Sequence, residues 1–566
     1  MNADALACAS PAKEVTWHQI NWSNCHSNVR RLQARIVKAT RNGRWGKVKA
    51  LQHLLTNSFS GKAVAVRRVT ENRGKKTPGV DGTTWSTPDA KAKAIPSLRR
   101  RGYRPQPLRR VMIPKASGGT RPLGIPTMKD RAMQALHLLA LSPVAETTAD
   151  PSSYGFRPER SCADAIQHCF LIFRRRNAAQ WILEGDIKGC FDNISHDWMI
   201  ANIPTDNVIL RKWLKAGYVE QGRLFDTDAG TPQGGIISPV LANMTLDGLN
   251  ALLPKKLFGR ARLSAQINVV RYADDFVISA RSREWIETEI LPKVTAFLAA
   301  RGLTLSATKT KITHIDDGFD FLGQTVRRYN GQLLIKPSKE SMNNFLREVR
   351  TVIKGHRSGT QAALIKRLNP MITGWANYHR AVVSKKIFSR VDSEIWHMLW
   401  RWIKRRHPGK GKRWMVAKYF RRKNHRHWVF SCAESQPSAD RTVNLRNMAD
   451  TKIERHTKIQ QERNCYDPKD EQYFEQRLSS KMWKSLEGRK QLIRLWMAQG
   501  GDCPVCSQKL ADDKTWDSHH IVRRSLGGSD GNANRVLLHP NCHRQVHSQG
   551  ITVVKPAPVK RSFMEA

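Results

Sequence analysis

The sequence predicts a multidomain α+β protein, on three observations. Short apolar strands ending in carboxylates alternate with helical stretches between about residues 60 and 330. Apolar residues at helix spacing dominate the first sixty residues and, joined by aromatics, the stretch from about 335 to 430. Two Cys/His ligand pairs stand beyond residue 500. At 566 residues the chain has room for about three or four domains of usual size.

The charge balance fixes the class of partner. With 96 Lys+Arg against 47 Asp+Glu the formal net charge is +49. Such self-repulsion calls for a polyanion, and nucleic acid is the natural one. No apolar run reaches the roughly 18 residues of a membrane span. Residues 1–10 carry Asp4 and no basic cluster, which predicts no secretory leader. Ten cysteines in a chain this long are too sparse for a disulfide framework. Cys162, Cys169 and Cys190 lie among apolar residues and read as small core side chains in a reducing cytoplasm.

Residues 1–60 read as a basic helical extension. Val29, Leu32, Ile36 and Val37 recur at helix spacing, as do Val48, Leu51, Leu54 and Leu55, and Trp17, Trp22 and Trp45 are expected to pack there. Thr77-Pro78-Gly79-Val80-Asp81-Gly82 is a tight turn. Tyr103 to Ile125 reads as a basic β-hairpin bearing Arg110, Lys115 and Arg121, which suits a triphosphate or a template backbone; a solvated edge hairpin fits the same residues. Helices are expected from Asp130 and near Ala163 to Phe173, with Tyr154-Gly155-Phe156-Arg157-Pro158 as a loop between them.

Two stretches carry the chemistry of this region. Trp181 to Asp186 is an apolar strand ending in a carboxylate, followed by Phe191 and Asp192; the Asp-Asn-Ile-Ser context of Asp192 favours turn or cap chemistry. Val269 to Ile278 reads as strand, turn and strand, with Asp274 and Asp275 in the turn. Adjacent carboxylates among apolar residues are costly unless paired, and such oxygen-rich sites suit Mg²⁺. Taken alone, the pair fits a solvated hairpin turn equally well. Between the two lies Thr231-Pro232-Gln233-Gly234-Gly235, whose glycines let backbone approach a base pair or phosphate, before an expected helix from Val240 to Leu252. Lys309 sits in a basic loop further on.

These stretches, in this order, resemble the reverse transcriptase/maturases encoded by group II introns. The matching blocks are TPGVDG (77–82), IPKASGGTRPLGIP (113–126), YGFRP (154–158), GDIKGCFDNI (185–194), TPQGGIISP (231–239), RYADDF (271–276), the Lys309 loop and FLG (321–323). The resemblance implies right-hand polymerase fingers and palm over 61–330, with Asp186, Asp274 and Asp275 as catalytic carboxylates holding two Mg²⁺ ions. It implies that Phe191 bars a ribose 2′-hydroxyl, that Gln233 and Gly234 line the nascent pair, and that Arg110, Lys115, Arg121 and Lys309 meet dNTP or template. It also implies a helical thumb/maturase domain over 331–430, where Asn369 to His379 matches. Between Trp396 and Phe430 stand twelve Lys/Arg, five Trp and no acid, a composition suited to phosphates and unpaired bases. Residues 431–490 read as a linker with a DNA-contacting segment.

Cys503, Cys506, His539 and Cys542 form two x₂-spaced pairs that suit a structural Zn²⁺. With His519-His520, Asn534, His543 and His547 they resemble the HNH endonucleases, a small zinc-stabilised ββα-metal domain over 491–566. In the family's pattern the second pair is two Cys; here His539 takes the first place. By motif position His520 is the general base, Asn534 orients its water, and His519, His543 and His547 hold one divalent ion. The expected partners are group II intron RNA, target DNA and dNTPs, without a membrane, in a bacterial cytoplasm at the nucleoid. A retron-like or defence-associated reverse transcriptase and a splicing-only maturase are the alternatives.

Overall fold

Three helices, Trp22–Arg41, Trp45–Asn57 and Phe59–Glu71, pack about a fourth, Met128–Thr148. The computed structural model describes residues 16–114, 119–253, 266–423, 426–433, 442–485, 490–511, 516–522, 526–529 and 531–556; Lys115 lies outside them. Asn21 and Ser58 start two of these helices by accepting the backbone N–H of Asn24 and Gly61, each at 3.0 Å. Trp17 and Trp22 are buried as expected. Trp45 and Leu54 are not, at 44% and 51% exposure. Leu54 falls about 100° off the stripe set by Leu55 and its neighbours.

Two sheets follow. Strands β1 (Leu108–Pro114) and β2 (Thr120–Ile125) pair antiparallel, β3 (Trp181–Asp186) begins the second sheet, and β4 (Tyr218–Glu220) and β5 (Arg223–Phe225) extend the first in the order β2-β1-β4-β5. Strands β6 (Asn268–Tyr272), β7 (Asp275–Ala280) and β8 (Lys311–His314) complete the second in the order β6-β7-β3-β8. Its apolar residues feed two cores, Leu183, Val269 and Ile278 in one and Ile182, Val270 and Val277 in the other. The helix expected from Val240 to Leu252 is two, Ser238–Leu246 and Leu249–Leu252. The break falls at Asp247, whose carboxylate pairs with buried Arg271.

Strands β9 (Phe319–Phe321), β10 (Gln324–Tyr329) and β11 (Gln332–Pro337) lead into helices Lys339–Gly355, Gln361–His379 and Lys385–Arg406. These share one core with helix Lys412–Tyr419 and a sheet of β12 (Phe420–Lys423), β13 (Arg426–Ala433) and β14 (Thr442–Asn444). The region expected to be a linker is tied down. Residues 451–470 run as an irregular strap, ending in the short helix Pro468–Asp470, in which His456 Nε2 meets Asp164 Oδ1 at 2.9 Å and Ile459 N–H donates to the same oxygen at 2.7 Å.

Beyond residue 490, strands β15 (Asp517–His520) and β16 (Arg535–Leu538) pair antiparallel and helix Pro540–Gln549 covers them. This unit shares a core with the N-terminal helices. Trp17 Nε1 donates to Asn541 Oδ1 at 3.1 Å, and Gln545 Nε2 donates to the carbonyls of His18 and Ile20 at 2.8 and 3.2 Å. Among the described residues no helix is long and apolar enough to cross a membrane.

Candidate active sites and metal centre

The ladder between β3 and β7 sets Asp186 directly opposite Asp275, and the β6–β7 turn carries Asp274 beside them. Three carboxylates separated by about ninety residues of chain thus meet at one sheet edge. The turn is tight because Ala273 takes φ +56°, and Gly155 leaves it room: a Cβ there would stand 2.3 Å from Ala273 N. Beneath the turn, buried Arg271 donates to Asn243 Oδ1 at 3.2 Å and to the Ala273 carbonyl at 3.3 Å.

The electrostatics are those of a cation site. Burial, then repulsion from Asp274 and Asp186, pushes the Asp275 carboxyl up to about 6. Burial and Asp186 also raise Asp274, against the pull of Arg121 and Lys309. Lys309 Nζ donates to both Asp186 oxygens, at 3.1 and 3.2 Å. An all-oxygen donor set suits a hard divalent ion. Among the described residues, two groups of three or more His, Cys, Asp or Glu bring their ligand atoms within 4.8 Å of one another; the three aspartates are not one of them.

The loop before this edge is built from contacts. Thr231 N–H donates to the Phe191 carbonyl at 2.7 Å, and Gly124 N–H donates to the Gln233 carbonyl at 2.7 Å. Gly234, at φ +116°, leaves no space for a side chain: a Cβ would stand 2.5 Å from the Gly124 carbonyl. Gln233 accepts from Arg121 Nε and donates to both Asp192 oxygens at 3.3 Å. Asp192 therefore serves the loop. Phe191 is buried, edge-on to Phe156 at 6.1 Å; Phe156 itself is half exposed at φ +58°.

Arg110 is not brought to this cluster. It pairs with Gly124 across the hairpin while Arg121 pairs with Ile113, so the two arginines lie on opposite faces. Arg110 instead stacks on Tyr218 at 3.3 Å and meets Glu220 at 3.6 Å. Arg109 shares the Arg121 face. The period-two pattern of the strand carries that signal.

Two further clusters lie beyond residue 500. Cys503, Cys506, His539 and Cys542 are all buried with their ligand atoms mutually within 4.8 Å, and Cys506 Sγ lies 3.4 Å from His539 Nδ1. Three thiols and an imidazole at that spacing fit tetrahedral Zn²⁺; His539 takes the first place of the second pair without opening the cluster. Arg67 Nη2 lies 3.7 Å from Cys542 Sγ. His519, His543 and His547 form the second cluster, with the Nε2 atoms of His543 and His547 3.0 Å apart. Asp517 Oδ2 lies 3.2 Å from His543 Nδ1 and so leaves Nε2 for a metal. Asp517 was missed, although it shares a strand face with His519.

His520 stands opposite Arg535, whose Nε donates to His520 Nε2 at 3.3 Å. Asn534 spends its side-chain amide on backbone groups. Its Oδ1 accepts the Val522 N–H at 2.7 Å and its Nδ2 donates to the carbonyls of Val522 and Ser529 at 2.9 and 2.8 Å. Its amide thus ties Val522 to Ser529.

A polymerase palm joined to a ββα-metal unit defines the class, and comparison with known proteins agrees. Residues 17–98 match the N-terminal domain of reverse transcriptase and residues 113–326 the reverse transcriptase (RNA-dependent DNA polymerase) family; 342–420 match the group II intron maturase-specific domain and 503–549 the HNH endonucleases. The chain is 34% identical over 331 residues to the group II intron-encoded protein LtrA of Lactococcus lactis subsp. cremoris, covering 47% of this chain and 54% of that one. It is 33% identical over 304 residues to protein YkfC of Escherichia coli K12, covering 47% and 80%. It is 29% identical over 409 residues to an uncharacterized 91 kDa protein in a cob intron of Schizosaccharomyces pombe, covering 58% and 50%. The matches thus span about half the length of the first and third of these relatives. The chain belongs to the family of group II intron-encoded reverse transcriptase/maturases with an HNH domain.

Proposed function

We propose that the protein copies RNA into DNA at the Asp186, Asp274 and Asp275 edge, binds group II intron RNA through its maturase region and assists its splicing, and nicks target DNA at its HNH unit to supply a 3′-end for extension. The observation that carries the reading is the gathering of three carboxylates at one end of the sheet, where burial and then its neighbours raise Asp275. Asp186, Asp274 and Asp275 would hold two Mg²⁺ ions. When bound, such ions neutralise charge on the phosphates and lower the pKa of a 3′-hydroxyl. Lys309 would give up its hold on Asp186 as cation and triphosphate arrive. Arg121, braced by Gln233, faces the same edge and would hold a triphosphate, and Lys115 is a further candidate cation by motif position. Gln233 and Gly234 would floor the nascent pair, and Phe191, wedged against Phe156, would exclude a ribose 2′-hydroxyl.

In the HNH unit His519, His543 and His547 would hold one divalent ion, which when bound stabilises charge on a scissile phosphate. His520 would take a proton from water, with Arg535 beside its ring at 3.3 Å. Cys503, Cys506, His539 and Cys542 would hold Zn²⁺ as a structural ion. The work is expected in a bacterial cytoplasm at the nucleoid.

One paired experiment tests the division of labour. Asp274→Ala is expected to abolish primer extension on an RNA template, by more than a hundredfold, while DNA nicking persists. His520→Ala is expected to do the reverse. Extension surviving in the first variant, or both activities falling together in either, overturns the assignment.

A further inference from the structure

The fold sorts the five tryptophans between residues 396 and 430. Trp402 is core, 4% exposed, with Nε1 donating to the His356 carbonyl at 2.6 Å. Trp414 has Lys418 over its ring at 4.7 Å. The remaining three form a ladder. Trp400 lies on Trp396 at 5.5 Å with planes 8° apart, and Trp428 lies on Trp396 at 5.9 Å with planes 18° apart.

Trp396 and Trp400 come from successive turns of one helix, where residues four apart share a face. Trp428 reaches them by a different route. It takes φ +62°, a left-handed conformation that a bulky side chain rarely adopts, where the β12–β13 register slips between Arg421 and Lys423. A bulge re-aims a side chain, and this one lays the indole against Trp396 while leaving it 52% exposed. Burial alone does not account for a strained tryptophan left half in water. The groove beside the ladder, about 620 Å³, is lined by all three rings with Lys404, Lys412 and Arg413, in a run of twelve cations without an acid.

We propose that this ladder binds unpaired nucleobases of a single-stranded nucleic acid, with Lys404, Lys412 and Arg413 on its phosphates. Stacked aromatics in a cationic groove recognise bases because every base has a π-face. A proline-rich peptide also lies on tryptophans, but carries no charge to answer so many cations. The inference rests on the reading of this region as an RNA-binding maturase domain, and names the surface within it.

The test uses the full-length protein and 12-nucleotide strands of unstructured sequence, made as RNA, as DNA, and as an abasic sugar-phosphate chain. Wild type is expected to bind strands with bases at least tenfold more tightly than the abasic one. Trp428→Gly, which keeps the left-handed backbone and removes the ring, is expected to lose roughly tenfold on strands with bases, the scale of one stacked base, and nothing on the abasic strand. Lys404→Ala is expected to weaken all three and to flatten the salt dependence. Matched RNA and DNA strands tell which nucleic acid supplies the bases. Equal binding of abasic and intact strands, or an unchanged Trp428→Gly, overturns the ladder. Long intron RNA bound as before in that case leaves the maturase reading standing, whereas no binding of intron RNA by the wild type overturns both. Displacement of the strand by a neutral proline-rich peptide at micromolar concentration also counts against the nucleobase assignment.

Discussion

His137 lies inside the helical bundle, edge-on to Trp213 at 5.3 Å, and burial drags its pKa down from 6.5 to about 4. Unfolding frees the imidazole to take a proton below about 6.5, which the folded state refuses until about 4. Stability is therefore present above pH 6.5 and is lost as pH falls through that window. Between pH 7 and 5 the single site is worth about 2 kcal/mol. Burial lowers His379 in the same direction. Urea unfolding at both pH values is expected to show a smaller drop for His137→Leu than for wild type; an equal drop sinks the assignment. Single residues were also where sequence reading fell short. Arg110 and Arg121 are both cations in one basic stretch, and only the pairing register separates their faces. Asn534 sits where the HNH pattern expects it, yet its amide is spent on backbone groups twelve residues away, which spacing cannot reveal.

At the scale of elements, legibility followed periodicity. β3, β6 and β7 announce themselves as apolar runs broken by carboxylates, and the buried stripes of helices Trp22–Arg41 and Lys385–Arg406 recur at helix spacing. The strap over 451–470 has no period, because an irregular segment held by scattered polar contacts needs none. Its anchor is Asp164, wholly buried, which accepts from His456, Ile459 and Arg477. Removing one member of such a buried network costs about 3–5 kcal/mol. Asp164→Ala is expected to lower the thermal midpoint and open 451–470 to limited proteolysis. Cleavage no faster than in wild type would mean that the strap is held elsewhere.

For the whole molecule, the sequence made the net charge of +49 and the order of the parts plain, but not which parts touch. The Cys/His cluster looked self-contained, whereas the structure sets it against the N-terminal helices through Arg67, Trp17 and Gln545. Metal removal should therefore loosen more than the HNH unit. Treatment with a strong chelator is expected to speed amide hydrogen exchange in Trp22–Arg41 and Phe59–Glu71 as well as beyond residue 500. Protection unchanged in those two helices would falsify the coupling.

The seam between Trp17 and Asn541 also sets a clock. The ribosome makes the two sides of this contact more than five hundred residues apart. At about 5–20 residues per second, the N-terminal helices wait on the order of half a minute to two minutes for the surface that covers them. Through that interval the Trp17 indole N–H lacks its Asn541 partner, and the bundle reaches its final state only after the last residue of the Cys/His cluster has been made.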